Sequence, residues 1–119
     1  MFDAWRRGDF TTAPALFGEG IRFTAQQPEG HVTAEGPGGI VGFMQRFLPE
    51  WKHYYVELHE LEDLGGGDYI AAATQHGTGV TSGVDITAPA YIALRMVGGK
   101  LTEMHFFFTR EEALGALAA

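Results

Sequence analysis

The sequence contains no cysteine. No disulfide can staple it, and no thiolate can serve as nucleophile or zinc ligand. Basic residues are also scarce: eight Lys and Arg stand against 15 Asp and Glu, a formal net charge of −7. The eight are scattered, with no cluster to neutralise phosphates, which argues against nucleic acid as a partner. No run approaches the roughly 20 apolar residues of a membrane-spanning helix, and no charged-then-apolar segment opens the chain. Neither membrane nor export is therefore expected, and the cytoplasm is the default location. Repeats, low-complexity tracts and linkers are absent as well.

What is present is 119 residues, 45% hydrophobic and 19% charged. That describes one ordinary globular domain, residues 1–119, large enough for a core and too small for two. Its most informative stretch runs from Tyr91 to Phe108, two apolar runs joined at Gly98-Gly99, a strong hairpin signal. Simple pairing through those glycines predicts Tyr91, Ala93, Arg95, Thr102, Met104, Phe106 and Phe108 on one face. Ile92, Leu94, Met96, Leu101, Glu103, His105 and Phe107 fall on the other. Both faces carry large apolar residues, so both need cover. One face is expected to pack on helices or enclose a cavity, and the other to meet a second copy of the chain.

Local signals place the remaining elements. Phe2 to Arg7 reads as a helix end stopped by Gly8, and Asp9 can cap a short helix around Thr11 to Phe17. Ile21 to Ala25 reads as a strand, and Gln26 to Gly39, rich in Pro and Gly, as a loop. Ile40, Phe43, Met44, Phe47, Leu48 and Trp51 follow helical spacing, so a helix from about Pro37 to Trp51 buries one stripe. Tyr54 to Leu64 and the alanine-rich Tyr69 to Thr78 read as strands around a turn at Gly65-Gly66-Gly67-Asp68. The small side chains of the second strand leave room above the sheet. Thr109 and Glu112 form a capping box for a last helix, Arg110 to Leu117. Helices early and strands late predict an α+β domain with helices on one face of a curved antiparallel sheet.

Three segments resemble a known family. Ala4-Trp5-Arg6-Arg7-Gly8-Asp9-Phe10 is similar to the end of the first helix in the SnoaL-like (polyketide cyclase-like) group of the nuclear transport factor 2-like superfamily. Glu35-Gly36-Pro37-Gly38-Gly39-Ile40 resembles that family's entry into its long helix. Gly99-Lys100-Leu101 with Arg110-Glu111-Glu112-Ala113-Leu114 resembles its last strand and tail. The resemblance implies a cone-shaped α+β barrel of the cystatin-like type wrapped around N-terminal helices, a deep apolar pocket and a homodimer. Relatives carry a longer first helix, so one wall of the cone is expected to be shorter here. Family members include polyketide cyclases, ketosteroid isomerases, epoxide hydrolases and dehydratases, so fold alone says little about function.

The family's catalytic groups transfer poorly. Ketosteroid isomerases use a carboxylate base on a loop, with a tyrosine and a protonated acid as oxyanion hole. By the resemblance, those positions hold Gln26-Gln27-Pro28, Met1 and Tyr91. The cyclase aspartate falls at Phe106, or at His105 if the alignment moves by one.

Tyr91 is thus the first catalytic candidate, either donating a hydrogen bond to a substrate carbonyl or enolate or serving as a core tyrosine. His76 can act as a general base or lie on a solvated face; it points opposite to Gln75, so only one of the two enters the pocket. His105 shares a face with Glu103, where pairing is possible, and the resemblance puts that face outside. His31 lies in the loop near Glu29 and Glu35, as lid or as solvated residue. The five histidines lack the tight spacing of metal ligands, and no cofactor is implied.

Trp5, Phe23, Phe43, Phe47, Trp51, Met104, Phe106 and Phe108 are the candidate pocket lining, suited to a small apolar or aromatic molecule. Two functions follow. One is binding of such a molecule, with isomerase, cyclase or hydrolase chemistry aided by Tyr91 and a histidine. The alternative is a non-catalytic binding or dimerisation module. What separates them is whether two titratable groups converge in one cavity.

Overall fold

The computed structural model describes residues 1–10 and 14–118. A short helix α1 (Phe2–Arg6) leads into strands β1 (Phe17–Gln27) and β2 (Gly30–Glu35), then helix α2 (Gly36–Phe47) and a 3-10 turn (Leu48–Glu50). Strands β3 (Trp51–Gly65), β4 (Asp68–Gly79), β5 (Asp85–Val97) and β6 (Lys100–Phe107) follow, and helix α3 (Arg110–Ala118) closes the chain. The six strands form one curved, unclosed sheet in the order β2-β1-β6-β5-β4-β3. All neighbours are antiparallel except β1 and β6, which run parallel. The predicted α+β class and curved sheet hold, with that one parallel pair as an addition.

Three sequence expectations give way. The segment Gln26–Gly39 is not all loop: β2 pairs with β1 in register Phe23↔Ala34 and Ala25↔Val32. Val32 and Ala34 alternate with exposed His31, Thr33 and Glu35, a period of two masked by the flanking Pro and Gly. The long helix stops at Phe47 rather than Trp51. Pro49 has no N–H to continue the α-helical ladder, so the chain tightens into the 3-10 turn and Trp51, in extended backbone, opens a strand. The helix expected over Thr11–Phe17 falls partly outside the described residues; Ala15 and Leu16 form a turn and Phe17 begins β1.

The fourth correction matters most. The β5–β6 hairpin does turn at Gly98-Gly99, both at positive φ. Its ladder runs Val97↔Lys100 and Met96↔Leu101, then slips to Arg95↔Glu103 and Tyr91↔Phe107. Thr102 is an extra residue on β6, a bulge that inverts parity for everything beyond it. Its hydroxyl donates to the Arg95 carbonyl at 3.3 Å. Tyr91, Ala93 and Arg95 therefore share a face with Glu103, His105 and Phe107, while Ile92 and Leu94 share one with Met104 and Phe106.

The main core lies between the inner sheet face and helices α1 and α2. It contains Trp5, Ile21, Phe23, Ile40, Phe43, Val56, Ala71, Ala73, Ile92, Leu94 and Met104. Ring contacts run through it from Trp5 to Phe106 (5.7 Å), Phe23 (5.8 Å), Phe43 (5.1 Å) and Phe47 (5.4 Å). The room above the alanines is filled: Ala71 and Ala73 are buried in this cluster. On the outer face, α3 packs Ala113 and Leu117 over Ile70 and Ala93, with Tyr91 and Phe107 beside them. Its capping box forms, Glu112 N donating to Thr109 Oγ1 at 3.3 Å and Thr109 Oγ1 to Glu112 Oε1 at 2.8 Å.

Candidate functional site

Deep inside the cone, Trp5, Phe23, Met104 and Phe106 border a void of only about 20 Å³, room for about one water. The interior is thus packed, and four of the predicted lining residues are core. Open space lies instead at the end of the cone where the β1–β2 turn meets the C-terminal end of α2 and the strands β3, β4 and β5. It has two lobes that share Pro28, Phe47 and Trp51. The wider lobe, about 420 Å³, is bordered also by Phe43, Arg46, Glu29 and Glu50, a size within the range of ligand sites, about 300–1,000 Å³. The smaller, about 160 Å³ and almost wholly apolar, reaches between Tyr54, Gln75, Gly77, Ile86, Ala88 and Phe108.

Strand register explains this lining. Gln75 pairs with Val56 and Ala88, and Gly77 with Ile86, so these residues continue the inner face on which Ala73 and Ala90 are buried. Gly77 carries no side chain where a Cβ would come within 3.2 Å of the Trp51 ring and 3.3 Å of the Tyr54 ring, which lets both rings sit on the sheet. Phe47 meets Tyr54 edge-on at 5.0 Å and Trp51 at 6.1 Å.

Two polar features stand out in this apolar setting. Tyr54 OH donates to Gln75 Oε1 at 2.8 Å, and burial pushes the Tyr54 hydroxyl well above its ordinary pKa, so it stays protonated. The Trp51 indole N–H is buried with no acceptor among the described residues. A buried donor left unpaired costs about 1–3 kcal/mol, an exception that calls for a cause.

None of the three catalytic candidates has its side chain on the inner face. Tyr91 lies on the outer face beside α3. His76 pairs with Tyr55 and stacks on it at 4.4 Å, with Nε2 3.3 Å from Glu57 Oε1. His76 itself borders the smaller lobe, although its ring lies against Tyr55 and the inward-facing neighbour is Gln75. His105 is also outward, its Nε2 2.8 Å from Glu103 Oε1 and its Nδ1 2.9 Å from Thr24 Oγ1. Arg22 Nε donates to Glu103 Oε2 at 2.9 Å. Burial opposes ionisation of Glu103, but the hydrogen bonds from His105 and Arg22 outweigh it and hold its pKa below the ordinary value. These groups floor an open, polar groove with Thr33 and Glu35, in which their hydrogen bonds are already made internally. His31 meets Phe107 edge-on at 5.9 Å, on the outer side rather than over the cleft.

Of the predicted lining, Phe43, Phe47, Trp51 and Phe108 border the cleft. Sequence reasoning missed Pro28, Arg46, Tyr54, Gln75, Ile86 and Ala88; the alternation of Gln75 with His76 was the available signal. Among the described residues no three His, Asp or Glu lie together as metal ligands, and no helix is long and apolar enough to cross a membrane.

A curved six-stranded sheet closed over by N-terminal helices, open at one end, defines the nuclear transport factor 2-like class of α+β fold. Within that class the chain belongs to the SnoaL-like domain family, whose sequence model matches residues 1–104. No curated protein matches the chain. Among solved structures it is similar to a nuclear transport factor 2-like protein of unknown function from Burkholderia pseudomallei, with 18% identity over 99% of this chain and 92% of that one, TM-score 0.77. It is also similar to a Catenulispora acidiphila protein of ketosteroid isomerase-like fold in complex with trimethylamine, with 17% identity, 96% and 85% covered, TM-score 0.74. A third similar structure is TerC co-crystallised with polyporic acid, at 16% identity, 87% and 82% covered, TM-score 0.69.

Proposed function

We propose that this protein binds a small, apolar, planar molecule in the two-lobed cleft at the open end of its cone. The observation that carries the proposal is the contrast between a packed interior and an aromatic-walled cleft built by Phe47, Trp51 and Phe108. The relatives crystallised with trimethylamine and polyporic acid support small-molecule binding as a use of this fold. Acid–base chemistry is the less favoured reading: His76 and Tyr54 border the smaller lobe and Glu29 and Glu50 the wider one, but the His76 ring stacks on Tyr55 and is engaged by Glu57, the Tyr54 hydroxyl by Gln75, and Tyr91 and His105 lie on the opposite sheet face. Binding rather than turnover is therefore the preferred function, with the cytoplasm as its setting. A homodimer through the outer face would meet it beside α3, which covers Ile70 and Ala93.

The test is fluorescence titration with N-phenyl-1-naphthylamine, a neutral aromatic probe. Saturable one-site enhancement is expected, abolished by Ala88→Trp, which fills the smaller lobe, with the melting temperature unchanged. Equal binding by the folded variant would place the probe elsewhere and refute the proposal.

A further inference from the structure

The network on the outer face of β1 and β6 has a proton direction. The two strands run parallel with Arg22 beside Glu103 and Thr24 beside His105, which brings four polar side chains onto one face. Glu103 takes hydrogen bonds at both oxygens, from His105 Nε2 at 2.8 Å and from Arg22 Nε at 2.9 Å. Burial opposes its ionisation, but those two bonds prevail and keep its pKa below the ordinary value. An ionised carboxylate can only accept, so the hydrogen between the two residues sits on His105 Nε2. The neutral ring then keeps its lone pair on Nδ1. Thr24 Oγ1 lies 2.9 Å from that nitrogen, so the hydroxyl donates to the imidazole. A hydroxyl donating to an imidazole that a carboxylate holds from behind has the polarity of nucleophile, base and orienting group.

These three residues border an open groove of about 640 Å³, together with Arg22, Thr33 and Glu35. Glu103 and His105 are buried, whereas Thr24 is half-buried, so the hydroxyl is the member of the relay nearest solvent. Arg22 precedes Thr24 by two residues on the same face, and its side chain is 68% exposed. It sets a fixed positive charge in the groove. We propose that this groove is a second site, separate from the cleft, which hydrolyses short, neutral carboxylic esters with Thr24 as nucleophile and His105 as general base. Glu103 is the positioning residue. Thr24 Oγ1 attacks the ester carbonyl carbon as its proton passes to His105 Nδ1, and Arg22 favours the negative charge that develops on the carbonyl oxygen. The bond to the leaving alcohol then breaks, and that oxygen takes the proton from His105, leaving an acyl group on Thr24. Water gives a proton to the same nitrogen and attacks the acyl carbon, which releases the carboxylic acid and returns the proton to Thr24. Glu35 and Glu103 repel an anionic substrate and Arg22 a cationic one, so a neutral ester is the match.

The experiment treats the full chain with p-nitrophenyl acetate to read turnover and with diisopropyl fluorophosphate to mark the nucleophile. The second reagent phosphorylates an activated hydroxyl with loss of hydrogen fluoride, and its adduct is too stable to turn over. Mass spectrometry of the digested protein is expected to place the adduct on Thr24, with ester hydrolysis falling as labelling proceeds. Thr24→Val should lose the label and slow hydrolysis by about 100-fold or more, the scale of base-assisted catalysis. Thr24→Ser, which restores a hydroxyl, should regain both. In folded Glu103→Gln the label should still reach Thr24, but more slowly, a change of chemical rate that a purely structural carboxylate would not cause. Absence of label from Thr24 in the native protein, or unchanged hydrolysis in folded Thr24→Val, overturns the proposal. Should Thr24→Val not fold, the position of the label in the native protein decides alone.

Discussion

His105 Nε2 lies 2.8 Å from Glu103 Oε1 on the outer face of the sheet, with both residues less than a tenth exposed. Glu103 also accepts from Arg22, and His105 reaches Thr24 through its other ring nitrogen. A carboxylate so placed is a structural anchor joining β1 to β6. Glu103→Ala should lower unfolding free energy by about 2–3 kcal/mol, the scale of hydrogen bonds to a charged group plus an unsatisfied partner. Urea denaturation measures this, and a loss near zero would show that the network contributes nothing.

The same carboxylate predicts a pH profile. Glu103 is held low against its burial by His105 and Arg22, Asp68 by a hydrogen bond from Arg95, and Glu62 by one from Arg110. A carboxylate whose folded pKa lies below its unfolded one adds stability above the unfolded value, and loses it as pH falls through the folded value. Melting temperature should therefore stay level on these groups' account from pH 7 to about 5, then fall below about pH 4.5. Glu103→Gln should flatten that fall. A profile that rises on acidification would contradict the assignment.

Deleting Thr102 should be milder than deleting Met104. Thr102 is the extra residue of the bulge, so its removal leaves Met96↔Leu101 and Arg95↔Glu103 as consecutive pairs, with Leu101, 2% exposed, still inward and Glu103 still outward. Deleting Met104, 1% exposed, turns every later residue of β6 to the other face and empties a buried site, a cost of about 2–5 kcal/mol. Equal loss of stability in the two deletions, by thermal melting, would refute the register.

How much of this was legible follows from the range of each signal. The Gly98-Gly99 turn, the stripe Ile40–Phe43–Phe47 and the Thr109–Glu112 capping box are local patterns, and they formed. The bulge is not local. Thr102 looks like any strand residue, and ordinary alternation carried past it turned Tyr91 inward and gave it a pocket it does not face. Strand β2 was hidden because only Val32 and Ala34 mark its inner side between Pro28 and Pro37. In the cleft, Phe47, Trp51 and Phe108 could be read as aromatic lining. Gln75 could be read only as one of an alternating pair with His76, since choosing between them needs the register with Val56. The unpaired indole N–H of Trp51 depends on tertiary packing around one atom, which no spacing encodes.

The placement of a bound ligand tests the central claim most directly. Intermolecular nuclear Overhauser effects from protein saturated with N-phenyl-1-naphthylamine should connect the probe to Phe47, Trp51, Ile86 and Ala88. Contacts to Thr24, Thr33 and Ala34 in the outer groove, or to Trp5 and Met104 in the packed cone, would contradict it.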